Sequence, residues 1–65
     1  MKIRSEVVKD VQAICRSMKD EPSPLMMILS TVQKKYGYIP LEVQDIISEE
    51  MAIPVAEIFG VVTFY

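Results

Sequence analysis

The chain has 65 residues, seven of them basic and nine acidic, with a net charge of −2, one cysteine and no histidine. One thiol and no imidazole exclude an intramolecular disulfide, a Cys/His zinc site and any Cys–His or Ser–His catalytic pair. Residues 1–20 carry five basic against three acidic groups and residues 21–65 two against six, so no basic patch is dense enough to follow a phosphate backbone.

The longest apolar run is the five residues of Leu25–Leu29, far short of the ~20 a membrane-spanning helix needs. The opening MKIRSEVVKD lacks the apolar stretch of a signal peptide, and a single free thiol suits a reducing compartment. A soluble, cytoplasmic chain is expected. At this size one core is marginal, so nearly every apolar side chain must enter it.

The first predicted element is a helix from about Ser5 to Met18. Val7, Val11, Ile14 and Met18 recur at helical spacing, with Val8 and Cys15 one position further round. Ser5 is the expected N-cap. Asp20-Glu21-Pro22-Ser23-Pro24 breaks the pattern and sets up the next start, with Ser23 as N-cap and Pro24 at the first helical position.

The second helix, Pro24 to about Tyr36, places Leu25, Ile28, Leu29, Val32 and Tyr36 on one stripe, while Met26 and Met27 lie off it, so at least one should be exposed. Lys34 and Lys35 suit the negative end of its dipole, and Gly37 follows as a residue able to turn left-handed. Tyr38-Ile39-Pro40 forms a short connector, extended at Ile39 because proline follows.

The third helix, Leu41 to about Met51, should bury Val43, Ile46, Ile47 and Met51 and turn Glu42, Asp45, Ser48 and Glu49 to water. Val32 and Ile46 read as the central core positions. Ile53-Pro54 restarts the chain into a fourth helix running from Pro54 towards Tyr65. Hairpin signals are absent. The expected fold is therefore all-α, a small three- to four-helix orthogonal bundle forming one module over residues 1–65, with Gly37, Pro40 and Pro54 as its structural turns.

Few residues point to chemistry. Cys15 reads as a small core residue, since an iron–sulfur cluster wants four ligands. The Met18, Met26, Met27 and Met51 set reads mainly as core filling, and Asp45, Glu49 and Glu50 as a solvated helix face. A helix-turn-helix about Gly37 fails because the following helix, LEVQDIISEEM, is acidic and has no side chain suited to base edges. The sequence therefore predicts no catalytic, cofactor-binding or metal-binding residue.

The fourth helix carries the functional signal. From Met51 to Tyr65 the only charge is Glu57, and the run ends on two aromatics rather than fraying into polar residues. Val55, Ile58, Phe59 and Val62 form the stripe expected to face the other helices. Ala56, Gly60 and Thr63 make a small-residue face that admits another backbone, and Val61, Phe64 and Tyr65 fill much of the remaining circumference. A helix apolar nearly all round is a buried helix, and 65 residues cannot cover every side of it. Val61, Phe64, Tyr65, Ala56 and Gly60 are thus the expected interface, and the chain reads as one module of something larger. Alone, it should hide this surface by pairing with a second copy.

Tyr36-Gly37-Tyr38-Ile39-Pro40, Ile53-Pro54-Val55 and Gly60-Val61-Val62-Thr63-Phe64-Tyr65, taken in that order and spacing, resemble a known family. They are similar to the N-terminal helical region of the thioredoxin-like 2Fe-2S ferredoxin subunit of NADH:quinone oxidoreductase, a subunit type found also in NAD(P)-linked bifurcating hydrogenases and NAD-dependent formate dehydrogenases. The resemblance covers about residues 24–65; the first helix matches only in general character.

It implies a helical bundle that precedes a thioredoxin-like domain and packs on a partner subunit binding FMN and NAD(P). The cluster ligands of that family, a C-x4-C pair and a later C-x3-C pair, fall beyond the T-F-Y motif, and Cys15 corresponds to none of them. The resemblance therefore implies an assembly module with no redox activity of its own. The alternative is a free-standing interaction or regulatory domain sharing the same turn pattern.

Overall fold

The computed structural model describes residues 4–64, in which four helices follow one another: α1 (Arg4–Met18), α2 (Pro24–Tyr36), α3 (Leu41–Met51) and α4 (Val55–Val62). No strand occurs among the described residues, and the architecture is all-α. Helix α1 packs against both α2 and α3, and α4 lies mainly on α3. The radius of gyration is 10.7 Å, the value of about 11 Å expected for a folded chain of this length.

The core draws one stripe from each helix. Val11 and Cys15 come from α1, Ile28, Leu29 and Val32 from α2, Val43 and Ile47 from α3, and Ile58 from α4, with Ile39 from the connector. Val7, Ile14, Met18, Leu25, Tyr36, Ile46 and Met51 pack partly buried around this centre. Ile46 is therefore a flanking residue, and Ile47 holds the central place expected of it. The two are neighbours on α3, and the face set by α1 selects the second. Ser48, expected in water, is half-buried because its hydroxyl donates to the Ile53 carbonyl at 2.6 Å.

The helix ends follow from proline and from two left-handed residues. Pro40 and Pro54, both extended, accept the first backbone bonds of α3 and α4: Val43 and Gln44 donate to Pro40 at 3.0 Å, and Glu57 donates to Pro54 at 3.0 Å. Ser23 occupies the N-cap position of α2, but through its carbonyl, which accepts from Met27 at 3.1 Å; its hydroxyl makes no cap bond. Ser5 is not a cap, because α1 already includes Arg4. Arginine is a strong helix former and serine costs only ~0.5 kcal/mol inside a helix.

Gly37 closes α2 at φ +84°, its N–H donating to Gln33 O at 2.8 Å. Ala52 closes α3 at φ +55°, and the Ile53 N–H reaches back to Ser48 O at 3.2 Å in a Schellman-type closure. A side chain makes the left-handed conformation costly, by ~1 kcal/mol. Opposite substitutions should thus have opposite effects. Gly37→Ala is expected to lower the urea midpoint by an amount equivalent to ~1 kcal/mol, and Ala52→Gly to raise it by up to ~1 kcal/mol. Midpoints moving in the same direction would contradict the cap assignments.

Polar contacts tie α1 to its neighbours. Tyr36 donates a hydrogen bond to Asp10, which also pairs with Lys35 at 2.7 Å. The Arg16 guanidinium bonds both oxygens of Glu50, at 3.1 and 3.4 Å. Burial, and then the bond to Asp10, push the Tyr36 phenol up to about 12. Burial, then the Glu50 carboxylate, raise the Cys15 thiol to about 11 against the opposing pull of Arg16.

Both groups hold their protons more tightly when folded than at their ordinary values of 10.0 and 9.0. Their contribution to stability is complete below about pH 9 and is lost as the pH climbs through 11 and 12. The urea midpoint should therefore fall across that window, and Tyr36→Phe should remove the upper part of the fall. A midpoint steady from pH 9 to 12 would contradict both placements.

Candidate functional site

The chemistry-bearing residues do not converge. Cys15, the only thiol, is 1% exposed within the core. Among the described residues no three His, Cys, Asp or Glu side chains are arranged to hold a metal ion. Glu42, Asp45 and Glu49 stand exposed along α3, and Glu50 is engaged by Arg16. No described helix is long and apolar enough to cross a membrane.

Apolar surface does converge, on the side of the molecule formed by the start of α2 and the length of α4. Met26 and Met27 are 49% and 41% exposed and Phe64 91%, while Phe59, 50% exposed, lies on another face of α4. Met26, Glu57, Gly60, Val61 and Phe64 line an open groove of about 400 Å³. Ser23, Met26, Met27, Ser30, Thr31 and Lys34 line a second depression of about 420 Å³ that shares Met26 with the first. Exposed apolar area of this kind, rimmed by polar groups, marks interaction surfaces.

The residues expected to form the interface divide as follows. Ala56 and Phe64 are exposed, and Gly60 is exposed with nothing within 4 Å of where a Cβ would stand. Close packing inside this chain therefore does not explain Gly60. Val61 is half-buried, packed against the core on one side and lining the groove on the other, and Tyr65 lies outside the described residues.

The expected inward stripe of α4 also divides. Ile58 is fully buried and Val62 half-buried, but Val55 is 39% exposed and Phe59 faces water. Helix α4 has α3 as its main neighbour, so only a narrow strip centred on Ile58 finds cover. The helix is shorter than the apolar run. It ends at Val62, where the Thr63 hydroxyl bonds back to Gly60 O at 2.7 Å and Phe64 N–H turns tightly onto Val61 O at 3.1 Å. That turn throws Phe64 outward.

Gln44 is a buried polar residue that the sequence did not mark. It is 3% exposed, and its amide nitrogen donates to Ile39 O at 3.0 Å, fixing the connector to α3. Its Oε1 has no partner among the described residues.

A profile of the thioredoxin-like 2Fe-2S ferredoxin family matches residues 11–65. The chain is 33% identical over 57 residues to the NADP-reducing hydrogenase subunit HndA of Solidesulfovibrio fructosivorans. That alignment covers 88% of this chain and 33% of HndA, so the chain spans about a third of its relative's length. No solved structure matches. The donor set present here does not fit the cluster for which the family is named, because a 2Fe-2S centre takes four thiolates or two with two histidines. The single thiol of this chain is buried and held protonated at neutral pH.

Proposed function

This chain belongs to the thioredoxin-like 2Fe-2S ferredoxin family, and from that premise we propose that it is the N-terminal assembly module of a 2Fe-2S electron-transfer subunit in an NAD(P)-linked oxidoreductase, of the hydrogenase type to which its relative belongs. On this reading the cluster sits on a separate thioredoxin-like domain of the same subunit, FMN and NAD(P) are bound by a partner subunit, and the assembly is cytoplasmic. The observation that carries the docking role is the uncovered apolar groove of Met26, Gly60, Val61 and Phe64.

The division of α4 explains how such a module works. Ile58 holds the helix to the bundle, while Gly60 and Phe64 line the groove and remain available. An exposed aromatic beside a glycine with no Cβ offers a partner both a large apolar anchor and a place of close backbone approach. The acidic exposed face of α3 disfavours nucleic acid, whose phosphates it would repel. In isolation the same surface is proposed to self-associate through α4.

The test is binding of the purified chain to a purified flavin- and NAD(P)-binding subunit. Met26→Ser with Phe64→Ser is expected to weaken that complex by about thirtyfold or more, the scale of an interface hot spot, with helicity retained. The same pair should shift the isolated chain towards monomer in sedimentation. Unchanged affinity would overturn the docking role, and visible iron–sulfur absorption with stoichiometric iron and sulfide in this chain alone would overturn the inert-module reading.

A further inference from the structure

Helix α4 is held to the bundle at few points. Helices α2 and α3 both pack on α1, whereas α4 lies mainly on α3 and sends one fully buried side chain, Ile58, into the core. Its link to α3 is a strained corner. Ala52, at φ +55° and ψ +42°, is the one non-glycine residue with a positive φ among the described residues. Bonds to Ser48 hold it there. The Ala52 and Ile53 N–H groups both donate to the Ser48 carbonyl, and the Ser48 hydroxyl donates to Ile53 O at 2.6 Å.

We propose that α4 is a hinged strap that swings as a unit about residues 52–54, with the Ser48 bonds as its clasp and Ile58 as its peg. Opening releases the left-handed alanine, so the corner itself favours the swing, while clasp and peg oppose it. Segments with few buried contacts open locally, without the rest of the fold.

The swing decides whether the groove beside α4 exists. Glu57, Gly60, Val61 and Phe64 form one wall and move with the strap, whereas Met26, on α2, stays behind. The groove is therefore assembled only in the closed state, and the affinity of any occupant is scaled by the fraction of time the strap is closed. That consequence rests on the docking role argued above; the hinge itself does not.

Hydrogen exchange of the dilute 65-residue chain, read by mass spectrometry where closing outruns exchange, tests the hinge. The hydrogen-bonded amides of α4 should exchange as one group, about tenfold or more faster than the slowest amides of α1–α3. Gly37→Ala strains the cap of α2 whether the strap is open or closed. It should quicken those slowest amides about fivefold and leave α4 unchanged. Ser48→Ala removes a hydroxyl bond that only the closed state makes, and should quicken the α4 amides about fivefold. If Gly37→Ala quickens α4 as much as the core, α4 opens only when the whole chain unfolds, and the hinge is overturned. If Ser48→Ala leaves α4 unchanged, its exchange is fraying from the far end, and the hinge is overturned again. Neither result bears on docking, which the affinity of the Met26→Ser and Phe64→Ser pair decides.

Discussion

Replacing Leu29 with alanine is expected to leave this chain largely unfolded at room temperature. Leu29 is fully buried at the middle of α2, among the largest enclosed side chains, with Ile28, Val32, Val11 and Ile47 in the same cluster. Truncating a leucine in such a place removes its transfer free energy and leaves a cavity, a loss of ~2–5 kcal/mol. A chain of 65 residues has a total stability of only about 3–10 kcal/mol, and no disulfide spans this one. Circular dichroism of Leu29→Ala should show most of the helical signal gone or melting far below the parent. A variant that melts with the parent would place Leu29 outside the core.

Ile58→Ala should have an effect of similar size but a different shape. Ile58 is the one fully buried residue of α4, and Val61 and Val62 only flank it. Eight residues cannot sustain a helix without tertiary support, because isolated helices below ~12–15 residues are marginal in water. Losing ~2–4 kcal/mol at this anchor should release α4 while α1, α2 and α3 stay packed. Amide chemical shifts of residues 55–62 should then collapse towards random-coil values, with those of α1–α3 retained. Complete unfolding would instead make α4 an integral part of the core. No change would mean that Ile58 does not hold it.

The difference between these outcomes mirrors what could be read from the residues. Helix α2 was legible throughout, because Leu25, Ile28, Leu29, Val32 and Tyr36 recur against polar neighbours and Lys34-Lys35-Tyr36-Gly37 spells out its end. Helix α4 was legible as a helix but not in its facing. With Val55, Ala56, Ile58, Phe59, Val61 and Val62 around one short cylinder, periodicity has no contrast to work with. The choice of Ile58 and Val61 over Phe59 comes from where α3 happens to lie.

The turn at Ala52 left no trace in the sequence, since nothing about alanine announces a left-handed residue; the Ser48 bonds impose it. Gln44 was equally silent, because a buried glutamine on a helix is recognised only by its acceptor, here the Ile39 carbonyl. The exposed apolar groove was legible in the excess of apolar residues on α4. The share contributed by Met26 was anticipated only as exposure, because the approach of α2 to α4 is a property of the fold.

The enclosed thiol of Cys15 has a further consequence, for measuring how this molecule breathes. A side chain 1% exposed cannot meet a disulfide reagent until α1 parts from its neighbours. When reclosing outruns the reaction, the labelling rate equals that of an open thiol multiplied by the fraction of time the interior stands open. The chain therefore carries one native reporter at the junction of α1 with the core, free of background from any second cysteine. Occupation of the α2–α4 surface should slow labelling if it steadies the whole bundle and leave the rate untouched if it steadies α4 alone, so one timed reaction gauges how far a docking event is felt through the interior.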